Sequence, residues 1–408
     1  MVRHPDGRAR RLLTWLTEPL PAPPARLRRG PLAPDAFPSP LRSVRLTTAL
    51  GLALGAAFTV CFLTGVLSHL IQHPPGWFRW PVGPAGLYRL TQGVHVATGL
   101  ASVPLLGAKL WSVYPRLFRW PPVRHPAHAA ERAAVAVLVG AALFQVVSGV
   151  LNLARWYAVM PFFFTAAHYW TAWLLAGALL VHVGVQLPAI RGALHQQRPD
   201  PQPADRAGRS RRHVLGAAGA AAGVITLATV GQTVTPLAAV SLLAPRRPGT
   251  GPQGLPVNRT AAAAGVRDAA LHPGYRLSVT GFGQSLELSL SDLAALPQHT
   301  AVLPIACVEG WSSVGSWSGV RLRDLAGLLG ADPAECDAVV ASLQVGGRYR
   351  TSTVASPHLA DDRTLIALRL GGEPLALDHG YPARLIAPNR PGVLQTKWVA
   401  RIDVRRTG

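Results

Sequence analysis

Four long apolar runs constrain this chain more than anything else in it. They lie at roughly Val44–Ile71, Tyr88–Trp111, Ala133–Ala154 and Phe164–Leu187. Each reaches the ~20 residues that a helix needs to cross the hydrocarbon core of a bilayer. In that core a chain must satisfy its own backbone amides, which for runs of this length means helix. A fifth run, Val214–Leu243, is rich in Ala and Gly and contains Pro236. A buried helix of a soluble domain could look the same.

Charge sets the expected direction of the spans. Hydrophobic residues make up 49% of the 408 positions and charged ones only 14%, yet the formal charge is +21. No basic block is interleaved with aromatics in the way a nucleic-acid groove requires, so no nucleic-acid partner is expected. The basic residues gather in three places instead. Arg26, Arg28, Arg29, Arg42 and Arg45 precede or open the first run. Lys109, Arg116, Arg119, Arg124 and Arg132 fall between the second and third. Arg191, Arg198, Arg206, Arg209, Arg211 and Arg212 fall between the fourth and fifth. The other two connections carry only Arg79 and Arg89, and Arg155. The positive-inside rule then predicts a multi-pass protein of the cell (plasma) membrane, with a cytoplasmic N-terminus. With five spans the C-terminal part lies outside the cytoplasm. Residues 1–43, rich in Pro and Arg, are expected to be a disordered cytoplasmic tail. Ser210–Gly223, "SRRHVLGAAGAAAG", resembles a twin-arginine export signal, which implies the export machinery for folded, cofactor-loaded domains as a partner. Arg211 and Arg212 could instead serve only the positive-inside rule.

Ionisable side chains inside spans are costly and point to function. His69 stands near the outer end of the first run, His95 in the second, and His168 and His182 in the fourth. At 1.5 Å of rise per residue, His95 and His168 lie about 10 Å and 8 Å from the outer face. Antiparallel neighbours in a four-helix bundle could hold a haem b between them at that depth. Gly93 and Gly99 would leave room for the ring. His182 follows His168 by fourteen residues, almost four turns, so the two share a face about 21 Å apart. A second haem would need an inner-half partner, where the second run offers only Lys109, so one haem is expected rather than two. His69 is an alternative ligand, and a hydrogen-bonded core or proton relay is the competing reading. "HVATGL" and the paired histidines resemble the membrane cytochrome b units that exchange electrons with quinones.

After the Pro/Gly linker Ala244–Pro256 the pattern becomes that of a soluble domain. "YRLSVTGFG" alternates as a strand, and "SLSDLAALP" reads as a short helix capped by Ser289 or Ser291 and stopped by Pro297. "AVLPIAC" is a strand ending at Cys307, and "VRLRDLAGLLGA" is a helix with Gly330 at its end. "TLIALRLGGEPLAL", "YPARLIAP" and "TKWVARIDV" supply further strands. Strands and short helices without a regular βαβ repeat indicate an α+β domain at 257–408. The expected organisation is a tail 1–43, a helical haem domain 44–190, a loop 191–213, a fifth span 214–243, a linker 244–256 and this domain.

Cys307 is one of three cysteines, with Cys61 and Cys336, too few for a disulfide framework. It sits in "PIACVEGWSSVGSWSGVRL", where a strand gives way to an expected loop of Trp, Ser and Gly. A soft thiolate at a strand end suits a transition metal whose other positions are left to non-protein ligands. A buried inert cysteine is the alternative for the motif alone. The blocks "YRLSVTG", "CVEGWS", "SWSGVRLRDL", "LGGEPLALDHGYPARLIAP" and "TKWVARIDV" resemble, in order, the sulfite oxidase family of molybdopterin enzymes. The resemblance implies that Cys307 ligates molybdenum. It places Asn258, Arg259, His379, Arg384 and Lys397 at molybdopterin contacts, with the last three toward the pterin phosphate. Each could equally be a structural salt-bridge or hydrogen-bond residue. Glu309 is a candidate proton donor. Sulfite-oxidising members carry arginines soon after the cysteine; Val308–Val320 has none. In this "CVEGWS" is similar to the periplasmic molybdoenzymes that reduce methionine sulfoxide.

The expected function is a membrane-bound molybdenum oxidoreductase. It would pass electrons between quinol and an extracytoplasmic molybdenum site through haem b, reducing a small-molecule or protein-bound S- or N-oxide. Oxidation of sulfite or another small molecule, with electrons delivered to quinone, is the alternative; Arg348, Arg350 or Arg390 could serve its anion pocket. A haem membrane protein with a degenerate outer binding domain is the non-enzymatic alternative.

Overall fold

Apolar side chains on every side of a helix demand either a protein core or lipid around it. The computed structural model, which describes residues 7–18, 37, 39, 41–118, 123–195 and 206–407, has such helices. A short helix α1 (Gly7–Thr17) comes first. It is followed by α2 (Val44–Gln72), α3 (Leu87–Val113), α4 (Pro126–Ala154), α5 (Phe164–His195) and α6 (Arg206–Val230). Among the described residues, five helices are long and apolar enough to cross a membrane. Leu52, Leu63, Val147, Trp170, Leu180 and Leu227 on their surfaces are exposed. In a bilayer these side chains meet lipid rather than water.

The helix boundaries depart from expectation at three places. Gly7–Thr17 is helical within the tail expected to be disordered, because "RARRLLTWL" is made of good helix formers; residues 1–6, 19–36, 38 and 40, including Arg26, Arg28 and Arg29, lie outside the described residues. The expected loop 191–213 is largely helix, since α5 runs on to His195 and α6 begins at Arg206. Arg198 and Arg119 lie outside the described residues. The fifth span ends at Val230, not Leu243. Gly231 follows, its N–H donating to Ser241 Oγ at 2.6 Å, and Pro236 cannot continue a helix.

The chain divides into two compact units, Met1–Phe62 with Thr98–Thr226 and Leu63–Ala97 with Leu227–Gly408. The end of the α2–α3 hairpin, Leu63–Ala97, therefore belongs with the C-terminal domain. Nothing in its hydropathy marks it for that, and hydrogen bonds do the work. Asn389 Nδ2 donates to Pro81 O at 2.6 Å, while Trp80 Nε1 donates to Asn389 O and Tyr88 N to Asn389 Oδ1, both at 2.7 Å.

The C-terminal domain is α+β, built on two five-stranded sheets. After α7 (Ala261–Ala264) and α8 (Arg267–Leu271) come β1 (Leu277–Gly281), β2 (Gln284–Leu288), α9 (Leu290–Ala295), β3 (His299–Ala306) and β4 (Ser312–Arg321). Then follow α10 (Leu322–Gly327), β5 (Cys336–Ser342), β6 (Thr351–Val354), α11 (Ser356–Leu359), β7 (Leu365–Leu370), β8 (Glu373–Pro374), β9 (Arg384–Ile386) and β10 (Val399–Arg406). One sheet has the order β2-β1-β10-β5-β6, with β1 and β10 parallel. The other has the order β3-β4-β7-β8, with β9 also paired to β7. Leu277, Val279, Leu325, Val340, Ile366 and Ile402 fill the main core. Ser289 caps α9 through a capping box with Asp292. The Trp/Ser/Gly stretch expected as a loop is mostly strand β4. Its small residues let it pair with both β3 and β7, with Trp317 wholly buried.

Candidate active site

The hairpin β3–β4 creates the position of Cys307. Ala306 pairs with Ser312, and the five residues between them form the turn. Cys307 N donates to Trp311 O at 2.8 Å and Gly310 N to Cys307 O at 3.0 Å. Gly310 takes φ 95, which a side chain would oppose. Cys307 is 1% exposed. Trp311 Nε1 donates to Glu309 Oε2 at 3.2 Å, and both side chains are buried.

Cys307 lines a cleft of ≈ 320 Å³ that is open to solvent. Leu255, Pro256, Val257, Ile305, Trp311 and Gly392 provide its apolar and backbone walls; Asn258, His379, Arg384 and Lys397 provide the polar ones. Five of the residues singled out from the sequence thus face one space. Arg259 does not line it, and its guanidinium donates to Ala263 O at 3.3 Å. Gly380, at φ 115, explains how Arg384 and Lys397 come together: a Cβ there would lie 3.1 and 3.2 Å from their Cβ atoms.

Arg384 is buried and Lys397 half-buried, and among the described residues neither forms a salt bridge to a carboxylate. Arg384 is 5% exposed, donates from Nη1 to His379 O at 3.1 Å, and has no partner for Nε. Burial pushes its pKa down to about 9. Lys397 Nζ donates to Arg259 O at 2.6 Å, Asp378 O at 2.9 Å and Asn258 Oδ1 at 3.4 Å. Burial, with Arg384 nearby, lowers it to about 7. His379 Nε2 lies 2.7 Å from Pro252 O, and burial holds its pKa down to about 4. Desolvated charges of this kind cost stability unless an anion compensates them. The unpaired Arg384 Nε and the adjacent cations therefore fit the anionic end of a bound group.

The donor set fits a metal that arrives with its own ligands. Among the described residues no group of three or more His, Cys, Asp and Glu is placed to hold an ion. One buried cysteine beside a basic wall suits molybdenum carried by a phosphorylated pterin dithiolene.

In the helices, His168 Nδ1 lies 3.0 Å from Ser148 Oγ, and Gln145 Nε2 donates to His168 O at 2.6 Å. These two contacts hold His168 by its ring Nδ1 and its backbone carbonyl. His182 is half-buried farther along α5. His95 and His69 belong to the other unit. The His95 ring packs on Gly65, where a Cβ would come within 2.9 Å, and His69 stacks on His73 at 4.7 Å. Gly93 and Gly99 do not leave space for a ring as expected. A Cβ at Gly93 would meet Thr233 Cγ2 at 2.8 Å, and one at Gly99 would meet Cys61 Sγ at 3.6 Å. Lys109 Nζ donates to Thr47 O at 2.7 Å.

Sequence reasoning missed Gln92, whose Nε2 donates to Val308 O, and Thr233, whose Oγ1 donates to Gly310 O. Gln92, a lone amide in an apolar run, was the one signal available.

A buried free cysteine beside Arg384 and Lys397 on a two-sheet α+β frame fits a class of domain: oxidoreductases that hold a metal-bearing anionic cofactor. Residues 264–407 match the family described as oxidoreductase molybdopterin binding domain, and this part of the chain is such a domain, of the sulfite oxidase family. The chain is 31% identical over 157 residues to mitochondrial sulfite oxidase of Rattus norvegicus, covering 32% of this chain and 29% of that protein. It is 33% identical over 131 residues to the "Putative protein-methionine-sulfoxide reductase subunit YedZ1" of Azospira oryzae, covering 32% and 48%. It is 33% identical over 117 residues to the "Uncharacterized oxidoreductase YuiH" of Bacillus subtilis, covering 28% and 57%. In each case the match spans less than two thirds of the relative's length.

Proposed function

We propose that this protein is a membrane-bound molybdenum oxidoreductase that takes electrons from membrane quinol through haem b and reduces an S- or N-oxide outside the cytoplasm. The observation that carries the reading is the cleft in which Cys307 faces Arg384, Lys397 and His379. Cys307 would hold the metal, and Arg384 would bind the cofactor's phosphate through its unpaired Nε and the rest of its guanidinium. Lys397 and Asn258 would order the wall behind it. When bound, molybdenum supplies two-electron oxygen-atom transfer. Glu309, two residues after Cys307 and held by Trp311 Nε1, would be the proton donor. Leu255, Val257, Ile305 and Trp311, which line the cleft with Cys307, are apolar. They suit a neutral oxide, and a relative named for protein-methionine-sulfoxide reductase agrees with that choice.

Haem b would be held by His95 and His168, with His69 and His182 as further candidates, and the quinol would dock among the spans. The arginine distribution supports a cytoplasmic N-terminus and an extracytoplasmic C-terminal domain, exported under the twin-arginine sequence at Ser210–Gly223. A second reading, oxidation of sulfite with electrons passed to quinone, draws support from Arg390. Its guanidinium is 6% exposed, gives Nη2 to Thr353 O and Leu394 O, and has no partner for Nε. Anaerobic assays of the purified protein separate the two. Quinol-reduced protein offered a panel of S- and N-oxides should reoxidise its haem. Sulfite with an artificial acceptor should give no turnover; sulfite turnover without oxide reduction would overturn the first reading.

A further inference from the structure

Gln92 is buried at 5% exposure in the C-terminal unit, in an apolar stretch of α3. Its amide has a fixed sense. Ser68 Oγ donates to Gln92 Oε1 at 3.1 Å, with Tyr88 OH at 3.5 Å from the same oxygen, so Nε2 is the end that reaches Val308 O at 3.2 Å. Ser68 Oγ in turn accepts from Gln72 Nε2 at 3.2 Å. A buried amide at an apolar position would destabilise a helix unless it were satisfied at both ends, and this one is.

The amide tip of Gln92 reaches the residue after Cys307, and its backbone lies on the helix that carries His95. Val308 follows Cys307 in the chain. His95 stands three positions after Gln92 on α3, which places it on the same face with about 4.5 Å of rise between them. One hydrogen bond, Nε2–H···O, is thus the single non-covalent link on a path from the Cys307 thiolate through its own backbone to the His95 side chain. The same turn is held at a second point, where Thr233 Oγ1 donates to Gly310 O at 2.5 Å and Ser312 N to Gln232 O at 2.7 Å.

We propose that Gln92 is a positioning residue that fixes the Cys307 turn on the helix of His95 and so couples electron passage between haem and molybdenum. The inference rests on the reading that His95 holds haem iron. In each transfer a haem held by His95 would give up one electron and molybdenum held by Cys307 would accept it. Quinol supplies the electrons.

The test uses the full-length protein carrying both cofactors and needs no substrate. The haem is reduced by a pulse of duroquinol under anaerobic conditions, and freeze-quenched samples are followed by the Soret band and by the Mo(V) electron paramagnetic resonance signal. Gln92→Leu should keep wild-type haem and molybdenum content. It should slow the linked loss of ferrous haem and rise of Mo(V) roughly tenfold, the scale expected when a reacting pair loses its fixed geometry. Ser68→Ala, which frees the amide without removing it, should slow the transfer less and serves if Gln92→Leu does not assemble. Wild-type rates in either assembled variant would overturn the coupling role alone. A wild-type protein without a b-type Soret band would overturn the haem reading and the coupling with it.

Discussion

In the C-terminal unit Arg384, Lys397, His379 and Glu309 lie within a two-sheet frame, each held by backbone carbonyls or a neighbouring side chain. Helices α2 and α5, by contrast, leave Leu52, Leu63, Leu180 and Val181 exposed and keep few polar side chains between helices. The first region packs its polar groups densely and leaves Arg384 Nε and Arg390 Nε, among others, buried without a hydrogen-bond partner. The second is shaped for lipid and carries histidines where polar groups are costly. Cofactor binding should therefore depend on many residues in the domain and on very few in the helices.

The largest expected effect falls on Cys307. Cys307→Ser changes the donor from a soft thiolate to a hydroxyl with little change in volume, so turnover should vanish while the haem spectrum stays intact. Cys336→Ser should remain active, since Cys336 is buried in the main core far along the chain from the cleft. Equal activity in Cys307→Ser and wild type would break the assignment of the domain site.

Next come the helices. His168→Ala should remove most of the b-type Soret absorbance, and His95→Ala should do the same, with molybdenum content unchanged. Ser148→Ala, which removes the hydroxyl 3.0 Å from His168 Nδ1, should shift the haem midpoint potential without abolishing the band. Full retention of the band in both alanine variants would move the ligands to His69 and His182.

A smaller, graded effect is expected on the anion wall. Arg384→Met keeps the length of the side chain and removes the charge. A charge-assisted hydrogen bond contributes about 1.5–3 kcal/mol, so cofactor retention on dilution should weaken by roughly tenfold or more on the same grounds. Arg259→Met should change retention little, because its side chain turns toward Ala263 and not into the cleft. Equal loss in both would mean that the wall acts by general charge and not by geometry.

The two regions were also unequally legible from sequence. The spans stood out because twenty apolar residues in a row have few other uses. Their ends did not, since Gly231 and Ser241 stop α6 through a tertiary hydrogen bond that no hydropathy pattern contains. In the domain, β1, β3, β7, β9 and β10 could be read by alternation and turn residues. Strand β4 could not: Ser, Gly and Trp have a loop-like composition, and only pairing on both edges makes them a strand. Cys307, Asn258, His379, Arg384 and Lys397 were found through ordered motifs far apart in the chain. Gly380 shows why they meet, since it needs both a positive φ and room for two side chains. Gln92 and Thr233 stayed hidden because their partners are backbone carbonyls more than seventy residues away.

The smallest effect should appear as a pH dependence confined to the C-terminal domain. His358 and His379 are both pushed down to about 4, chiefly by burial. Arg390 lowers His358 further, and Arg384 and Lys397 lower His379 against the upward pull of the Pro252 carbonyl. In the unfolded chain each would protonate near the ordinary histidine value of about 6.5. Between pH 6.5 and 4 the unfolded state thus binds more protons than the folded one, and stability falls as pH falls. The contribution is complete above pH 6.5 and is lost as pH drops toward 4. Thermal unfolding of the domain, followed by near-ultraviolet circular dichroism, should therefore move to lower temperature across that window. His358→Gln should flatten the slope without touching the cleft, because His358 does not line it. His379→Gln should flatten it too, and in addition weaken cofactor retention. An unchanged slope in both variants would mean that the acid sensitivity arises elsewhere in the domain, and that the buried imidazoles do not set it.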